Sequence, residues 1–400
     1  QPIDGQMLER MTTSLSHRGP DSHGIAQWAV GSRHIGLGHT RLSIIDLSPA
    51  ATQPMANDDG SIWVVFNGEI YNFRDLRASL ERRGIQFRST SDTEVLLRLY
   101  EVEGERCVDR LEGMFAFAIW DRRRGRMLLA RDRVGKKPLY YSSTPQLFAF
   151  SSEIKALLRH PGIEASVDGE VLPAFFLYGY VPTPRTVYRG IQQVPPGHTL
   201  AVTLDGQVTL NQYWDWLANG HARPAASPEQ AAATTRELIT EAVRRRLIAD
   251  VPIGAFLSGG IDSSIVVGVM SRLMREPVRT FSIGFTGDPR YDETAYARLV
   301  SRHFGTVHTE FVVEPSSAVD LVERLVECYD GPFADESAIP MYLLSQLTRQ
   351  HVTVALSGDG GDELFAGYLR FYGALAAEHI PLPLRQAARQ VFARLPDWGG

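Results

Sequence analysis

The stretch IGAFLSGGIDSS, residues 253–264, constrains the fold more than any other part of the chain. An apolar strand ends at Leu257, two glycines turn the backbone, and a helix is set to begin at Asp262-Ser263-Ser264. A strand that passes through glycines into a helix opens a β–loop–α unit, and such units build parallel sheets. The surrounding rhythm agrees. From about residue 233, helical stretches (234–248, 262–274, 293–304, 315–329, 337–350) alternate with apolar strands (251–257, 278–285, 306–313, 352–358). The expectation is an α/β, doubly wound parallel sheet, with ligands bound beyond the carboxyl ends of its strands.

The first half has a different rhythm. From about residue 24 to 152 it reads as short strands with turn punctuation: SIWVVF, GMFAFAIW, RMLLAR, KPLYYS and LFAFSS. Several are apolar on both faces, which suits strands buried between layers. A helix is expected from Asn72, with Phe73, Leu76 and Leu80 at helical spacing, and another from Ser91, where Ser91…Glu94 forms a capping-box pattern. This half is expected to be α+β, a largely antiparallel sandwich with helices packed against it. VPPGHTLAV and DGQV suggest a last hairpin, and the Pro-, Gly- and Ala-rich run that follows suggests a linker. The expected division is residues 1–205, a linker over 206–232, and 233–400.

Composition excludes several classes. The 400 residues are 44% hydrophobic with a formal charge of −5, and no basic tract is interleaved with aromatics, so nothing supports nucleic-acid binding. No apolar run approaches a membrane span, and no signal-peptide pattern opens the chain. Cys107 and Cys328 lack any partner spacing for a disulfide framework or a zinc site, which fits a reducing compartment, by default the cytoplasm.

Three motifs carry chemistry. In FLSGGIDSS the helix N-terminus and the Ser258, Ser263 and Ser264 hydroxyls suit phosphate oxygens, although the Walker lysine is missing. In LSGDGGDELFAGY, residues 356–368, Asp359, Asp362 and Glu363 sit in a glycine-rich loop after a strand of the same sheet. Spaced carboxylates there suit Mg²⁺ held jointly with a nucleotide's phosphates, whereas a plain acidic turn is the simpler reading. In VVFNGEIYN, residues 64–72, Asn67-Gly68 is the strongest short turn signal. The alternative is a site, with an amide, a bare N–H and the Glu69 carboxylate collected at a strand end.

SGGIDSS and LSGDGGDELFAGY together resemble the ATP-pyrophosphatase domain of glutamine-dependent asparagine synthetases. The first half is similar to the glutaminase domain of that family, through HRGPDSHG (17–24), GHTRLSIIDL (38–47), FNGEIYNFRDLR (66–77), SDTEV (91–95), GMFAFAIWD (113–121), ARDRVGKKPLYY (130–141) and YGYVPTPRTVYRGIQQVPPGH (178–198). The resemblance runs nearly the whole chain in the family's order. It implies an Ntn-hydrolase-like αββα sandwich followed by a Rossmann-like ATP-pyrophosphatase domain.

The resemblance also implies roles. Arg41 matches the arginine that pairs with the glutamine carboxylate, and Leu42, Ser43, Ile44 and Ile45 line the same stretch. Asn67 and Gly68 match the oxyanion hole, where losing one donor costs about 3 kcal/mol of transition-state stabilisation. Glu69 and Asp92 match groups that hold the α-amine, although Asp92 also suits a helix start. Phe256 and Ile283 fall at adenosine-contacting positions, as does Ser357-Gly358. The run Ser258, Gly259, Gly260, Ile261, Asp262, Ser263 and Ser264 would surround the pyrophosphate, and Asp262 and Asp362 match Mg²⁺ ligands. Asp359 stands where some synthetases have Glu in the second half-reaction. FADESAIPMYLLS (333–345) resembles the segment near the acceptor carboxylate.

The cofactors implied are ATP and Mg²⁺. The partners implied are small molecules (glutamine, and aspartate or another carboxylate), with room for a homodimer. The family's nucleophile is a Cys exposed as the first residue of an N-terminal strand. Gln1 stands in the segment that follows such a strand, and Cys107 matches no nucleophile position. The expectation is therefore an internal fragment, short at both ends and inactive as a glutaminase by itself. For the intact protein the resemblance implies hydrolysis of glutamine, passage of ammonia through a tunnel, and its capture by the acyl-adenylate of aspartate. Rival readings are amidation of a sugar acid or ring closure of a peptide or lactam, an NAD or GMP synthetase, and a non-catalytic relative.

Overall fold

The computed structural model describes residues 4–219, 227–286, 292–314 and 321–392. Contacts divide the chain into two units. The first is Gln1–Ile253 with Phe285–Gly287 and Val312–Val354, and the second is Gly254–Gly284, Asp288–Phe311 and Ala355–Gly400. Part of the linker (220–226) and the start of the helix expected over 315–329 lie outside the described residues.

The first unit opens with helix α1 (Gly5–Thr13) and a long hairpin, β1 (Ser22–Val30) and β2 (Arg33–Arg41). A six-stranded sheet follows in the order β11-β10-β6-β5-β4-β3, and its assigned ladders are antiparallel. Its strands are β3 (Met55–Ala56), β4 (Ile62–Ile70), β5 (Gly113–Asp121), β6 (Arg126–Arg131), β10 (His198–Thr203) and β11 (Val208–Gln212). β7 (Tyr140–Ser143), β8 (Phe148–Ser151) and β9 (Ile191–Gln193) form a separate sheet in the order β8-β7-β9. The five apolar runs are thus all strands, and VPPGHTLAV with DGQV is the last hairpin. β11 occupies residues that composition assigns to the linker.

Side-chain alternation explains why β5 is apolar throughout. Phe115, Phe117 and Ile119 pack on one face, with Phe73, Leu76 and Leu80 of α2 (Phe73–Glu81) and Leu96 and Leu99 of α3 (Asp92–Glu103). Ala116, Ala118 and Trp120 pack on the other, with Leu37 of β2, Leu139 and Val194, and with Tyr141 and Phe148 at the edge. Each large side chain buried this way contributes about 1.5–3 kcal/mol. Beyond the second layer, Ala149 packs on Ile154 and Leu157 of α4 (Ile154–Leu157), while Gly38 faces Thr12 of α1. The unit is an αββα sandwich.

Two local expectations need correction. Asn67-Gly68 does not turn the chain; it lies inside β4, with Asn67 opposite Ala116 and Gly68 opposite Phe115. Gly68 is required there by proximity, because a Cβ would lie 2.0 Å from the Met114 carbonyl oxygen. The capping box at α3 is half-formed. Ser91 Oγ accepts from the Glu94 N–H at 3.2 Å, but the Glu94 carboxylate turns instead to the N–H groups of Arg88 and Ser89.

The second unit holds the four-stranded sheet β14-β13-β12-β15. Its strands are β12 (Ile253–Phe256), β13 (Arg279–Phe285), β14 (Val307–Val313) and β15 (Val354–Leu356), and β12 and β13 pair in parallel. The helices Ile261–Leu273 and Thr294–Phe304 stand between these strands in sequence, as the alternation requires. Buried Phe281 stacks on Phe311 at 6.2 Å.

Candidate active sites

In the first unit the site is built along one edge of β4. β3 pairs only with Trp63 and Val64, so among the described residues β4 has no neighbouring strand on that side from Phe66 onward. Phe115, opposite Gly68, bonds to Asp132 through both its N–H and its C=O. Gly68 and Phe115 are therefore a non-hydrogen-bonded pair, and Gly68 directs its N–H to the free edge. Side chains cap the residues on either side of it. Phe66 donates its N–H to Gln53 Oε1 at 2.6 Å and accepts from His39 Nε2 at 3.1 Å, and Ile70 donates its N–H to Asp92 Oδ2 at 3.0 Å. Gly68 is left between these caps.

Alternation then sorts the side chains. Phe66 and Ile70 join the core under the helices, whereas Val65 joins the core between the sheets. Asn67 and Glu69 share the face of Val65 and line a cavity of about 1440 Å³. Arg41, Leu42, Ile44, Ile45, Gly68 and Asp92 lie on the same wall. Ser43 is not on this wall; its N–H donates to Asp21 Oδ2 at 2.7 Å. The Asn67 Nδ2 is buried with no partner among the described residues.

Arg41 ends β2 and is buried. It donates to the backbone carbonyls of Ser48, at 3.1 Å, and of Asp46. Asp46 sits at φ +56° and is tied down through Ser48, Thr90 and Asp250. A guanidinium has five N–H donors, so two carbonyls leave enough for a bidentate carboxylate. Burial lowers the Arg41 pKa, against the pull of Asp46, Asp21 and Asp92.

Glu69 and Asp92 form an acidic pair. Burial, reinforced by the charge of Asp92, pushes Glu69 up to about 7, and Lys137 and Arg246 oppose this. Burial pushes Asp92 up to about 6 against its backbone hydrogen bonds. A carboxyl whose folded pKa is raised binds its proton more tightly in the folded state. Its stabilisation is full below the unfolded value and is lost as pH rises through the folded value. The expected result is a Tm that falls by a few degrees between pH 5 and pH 8, with Glu69→Gln flattening that slope. A scanning-calorimetry series at fixed ionic strength checks it.

Sequence reading missed Lys137, His39 and Gln53. Lys137 lines the cavity and belongs to the loop in which Asp132 accepts from the N–H groups of Val134, Lys136 and Lys137. Only its place in ARDRVGKKPLYY signalled it. Cys107, by contrast, is fully buried in the core beside α3, away from the cavity, and burial raises its thiol pKa. It is no nucleophile.

The second unit brings its two loops together. Gly259 turns at φ +86°, where a Cβ would lie 2.5 Å from Tyr296. The helix Ile261–Leu273 starts at Gly260, whose N–H donates to Ser258 Oγ at 3.2 Å, and Ser258 Oγ meets Ser263 Oγ at 3.0 Å. Gly358 packs on the same turn, since a Cβ would lie 2.7 Å from Ser263 N, and a Cβ on Gly361 would lie 2.4 Å from the Asp262 carboxyl. Burial and then the charges of Asp362 and Glu363 raise the Asp262 pKa. Among the described residues neither Asp262 nor Asp362 has a cationic partner. Asp359 instead accepts from Ser357 Oγ at 2.8 Å, and Glu363 from Tyr368 Oη at 2.8 Å. Phe256 and Ile283 are half-buried on β12 and β13, and Ile261 and Ser264 lie in the first turn of the helix. Among the described residues no group of three or more His, Cys, Asp or Glu gathers for a metal.

Comparison with known proteins gives consistent results. A family profile described as "Glutamine amidotransferase domain" matches residues 2–214, and one described as "Asparagine synthase" matches 234–399. "Asparagine synthetase [glutamine-hydrolyzing] 1" of Bacillus subtilis is 36% identical over 396 residues, 98% of this chain and 61% of that protein. "Asparagine synthetase [glutamine-hydrolyzing] 3" of the same organism is 38% identical, over 94% of this chain and 62% of that one. "Amidase chry2" of Gibberella zeae is 33% identical, over 92% of this chain and 56% of that protein. The chain thus spans about three-fifths of the length of these relatives. With both profiles matched in order and over a third of the residues shared, the chain belongs to the glutamine-hydrolysing asparagine synthetase family.

Proposed function

We propose that the full-length protein is an ATP-dependent amidotransferase that takes nitrogen from glutamine and amidates the β-carboxylate of aspartate. Residues up to 214, strand β11 included, serve as the glutaminase, and 234–399 as part of the synthetase. The observation that carries this reading is the free edge of β4. Among the described residues the Gly68 N–H has no hydrogen-bond partner; it stands next to Asn67, in one cavity with the buried Arg41 cation and the Glu69/Asp92 carboxyls. Glutamine has the complementary pattern of carboxylate, ammonium and amide carbonyl. Arg41 takes its carboxylate, Glu69 and Asp92 its ammonium, and Asn67 Nδ2 with the Gly68 N–H the oxyanion that forms at the amide.

In the synthetase part, adenosine rests against Phe256, Ile283 and the Ser357-Gly358 backbone, and the phosphates meet the turn Ser258–Ser264 at a helix N-terminus. Asp262 and Asp362 are the residues that would hold Mg²⁺. Two facing carboxyls without a cationic partner suit an ion whose other ligands are phosphates and water. Bound there, the ion would offset phosphate charge. The acceptor carboxylate attacks the α-phosphorus of ATP and releases pyrophosphate, and ammonia then displaces AMP from the acyl-adenylate to leave the amide.

Pyrophosphate release by the full-length protein with ATP, magnesium and ammonium tests this reading. It is expected to depend on aspartate. Release that ignores aspartate moves the acceptor to another carboxylate, the alternative within the same family.

A further inference from the structure

His39 has no assigned part in the site, yet it is the side chain that caps β4 just before Asn67. It reaches from β2 across the interior of the sandwich, and its Nε2 lies 3.1 Å from the Phe66 carbonyl oxygen. A carbonyl only accepts, so this nitrogen carries the proton and the other, Nδ1, is the bare one. Nδ1 is buried and has no partner among the described residues. Burial, with the Arg41 charge nearby, holds the imidazole neutral, its pKa pushed down to about 4. The contact His39 makes within the protein is that of a donor.

The carbonyl it holds belongs to the peptide whose nitrogen is that of Asn67. On the same free edge, Gln53 fixes the Phe66 N–H at 2.6 Å, and its Nε2 donates to Thr93 Oγ1 at 3.3 Å in the first turn of α3. Asp92, one residue earlier, fixes the Ile70 N–H. With no neighbouring strand, these three side chains do the work a ladder would do elsewhere in the sheet. Only His39 approaches from the opposite layer.

We infer that His39 is a positioning residue for the glutaminase step. Its Nε2–H anchors the Phe66–Asn67 peptide so that Asn67 Nδ2 and the Gly68 N–H keep the spacing an oxyanion requires. This rests on the glutamine reading of the cavity. Its hydrogen bond goes to the backbone that carries the two oxyanion donors, so its loss is expected to lower kcat and to leave KM nearly unchanged. A glutamine side chain can put an amide nitrogen near the place of Nε2, so His39→Gln is the conservative variant.

The test uses the full-length protein. His39→Leu is expected to lower kcat for glutamine-dependent synthesis about 10- to 100-fold with KM for glutamine and ammonia-dependent synthesis unchanged, and His39→Gln to recover kcat to within about threefold. A rise in KM equal to the fall in kcat, or equal impairment by Leu and Gln, overturns it. A second readout needs no turnover. Amide hydrogen exchange at Asn67 is expected to speed up at least tenfold in His39→Leu and to slow again in His39→Gln; unchanged exchange overturns the anchoring. Failure of Arg41→Ala to affect glutamine use would instead overturn the cavity reading, leaving the exchange measurement to decide His39.

Discussion

Arg41→Ala in the full-length protein is expected to lower kcat/KM for glutamine by at least about 100-fold while ammonia-dependent synthesis continues. Removing the partner of a buried, hydrogen-bonded charge pair costs about 2–5 kcal/mol, a factor of about 30 to several thousand. Arg41 sits on the cavity wall with two of its donors already on the Asp46 and Ser48 carbonyls. The substitution therefore removes the carboxylate's counterion and loosens the loop that shapes the pocket. Arg41→Lys keeps the charge but loses the fork, and an intermediate loss is expected. Parallel assays with glutamine and with ammonium salts check this; equal loss of both activities would falsify the assignment of Arg41 to glutamine.

Asp262→Asn is expected to reduce ATP-dependent pyrophosphate release by about 100-fold or more, with glutamine hydrolysis retained. Asp262 lies against Gly361 and Gly358 and is repelled by Asp362 and Glu363. Placing like charges together without a counterion is costly in the free protein and useful only when a cation or its phosphate complex arrives. The same substitution is therefore expected to leave Tm unchanged or slightly higher without nucleotide, and to abolish the rise in Tm that magnesium with ATP produces in the parent. A drop in Tm without nucleotide would mean that Asp262 is a structural carboxylate.

Much of this could be read from residues. The apolar runs of β4, β5 and β6 are long, two-sided and flanked by turns, so their burial between layers was legible. So were the helices at Phe73 and Asp92, where Phe73, Leu76, Leu80 and the Ser91 cap give local signals. The hairpin β1–β2 was not, because β1 alternates only between half-buried and exposed positions and β2 is half-buried almost throughout, buried only at Leu37 and Arg41. Asn67-Gly68 misled for a physical reason. The pair has the composition of a turn, but the backbone there answers to β5, where the Met114 carbonyl leaves no room for a Cβ. His39 and Gln53 were invisible for a related reason, since what they cap is an edge that exists only once β3 has stopped short. Arg41, Asn67, Gly68, Glu69 and Asp92 were singled out through resemblance, and all five line one cavity.

The two-sided burial of β4 and β5 also decides where this pocket can breathe. A strand clamped between two cores is held along its ladder with β5, so movement is expected away from that ladder. If the cavity holds glutamine, its passage is expected at the rim, where the loop after β2 hangs on Asp46 and a few side-chain bonds. A different guest would then be met by a change in residues 42–48 and not at Asn67 or Gly68, whose backbone is held against β5.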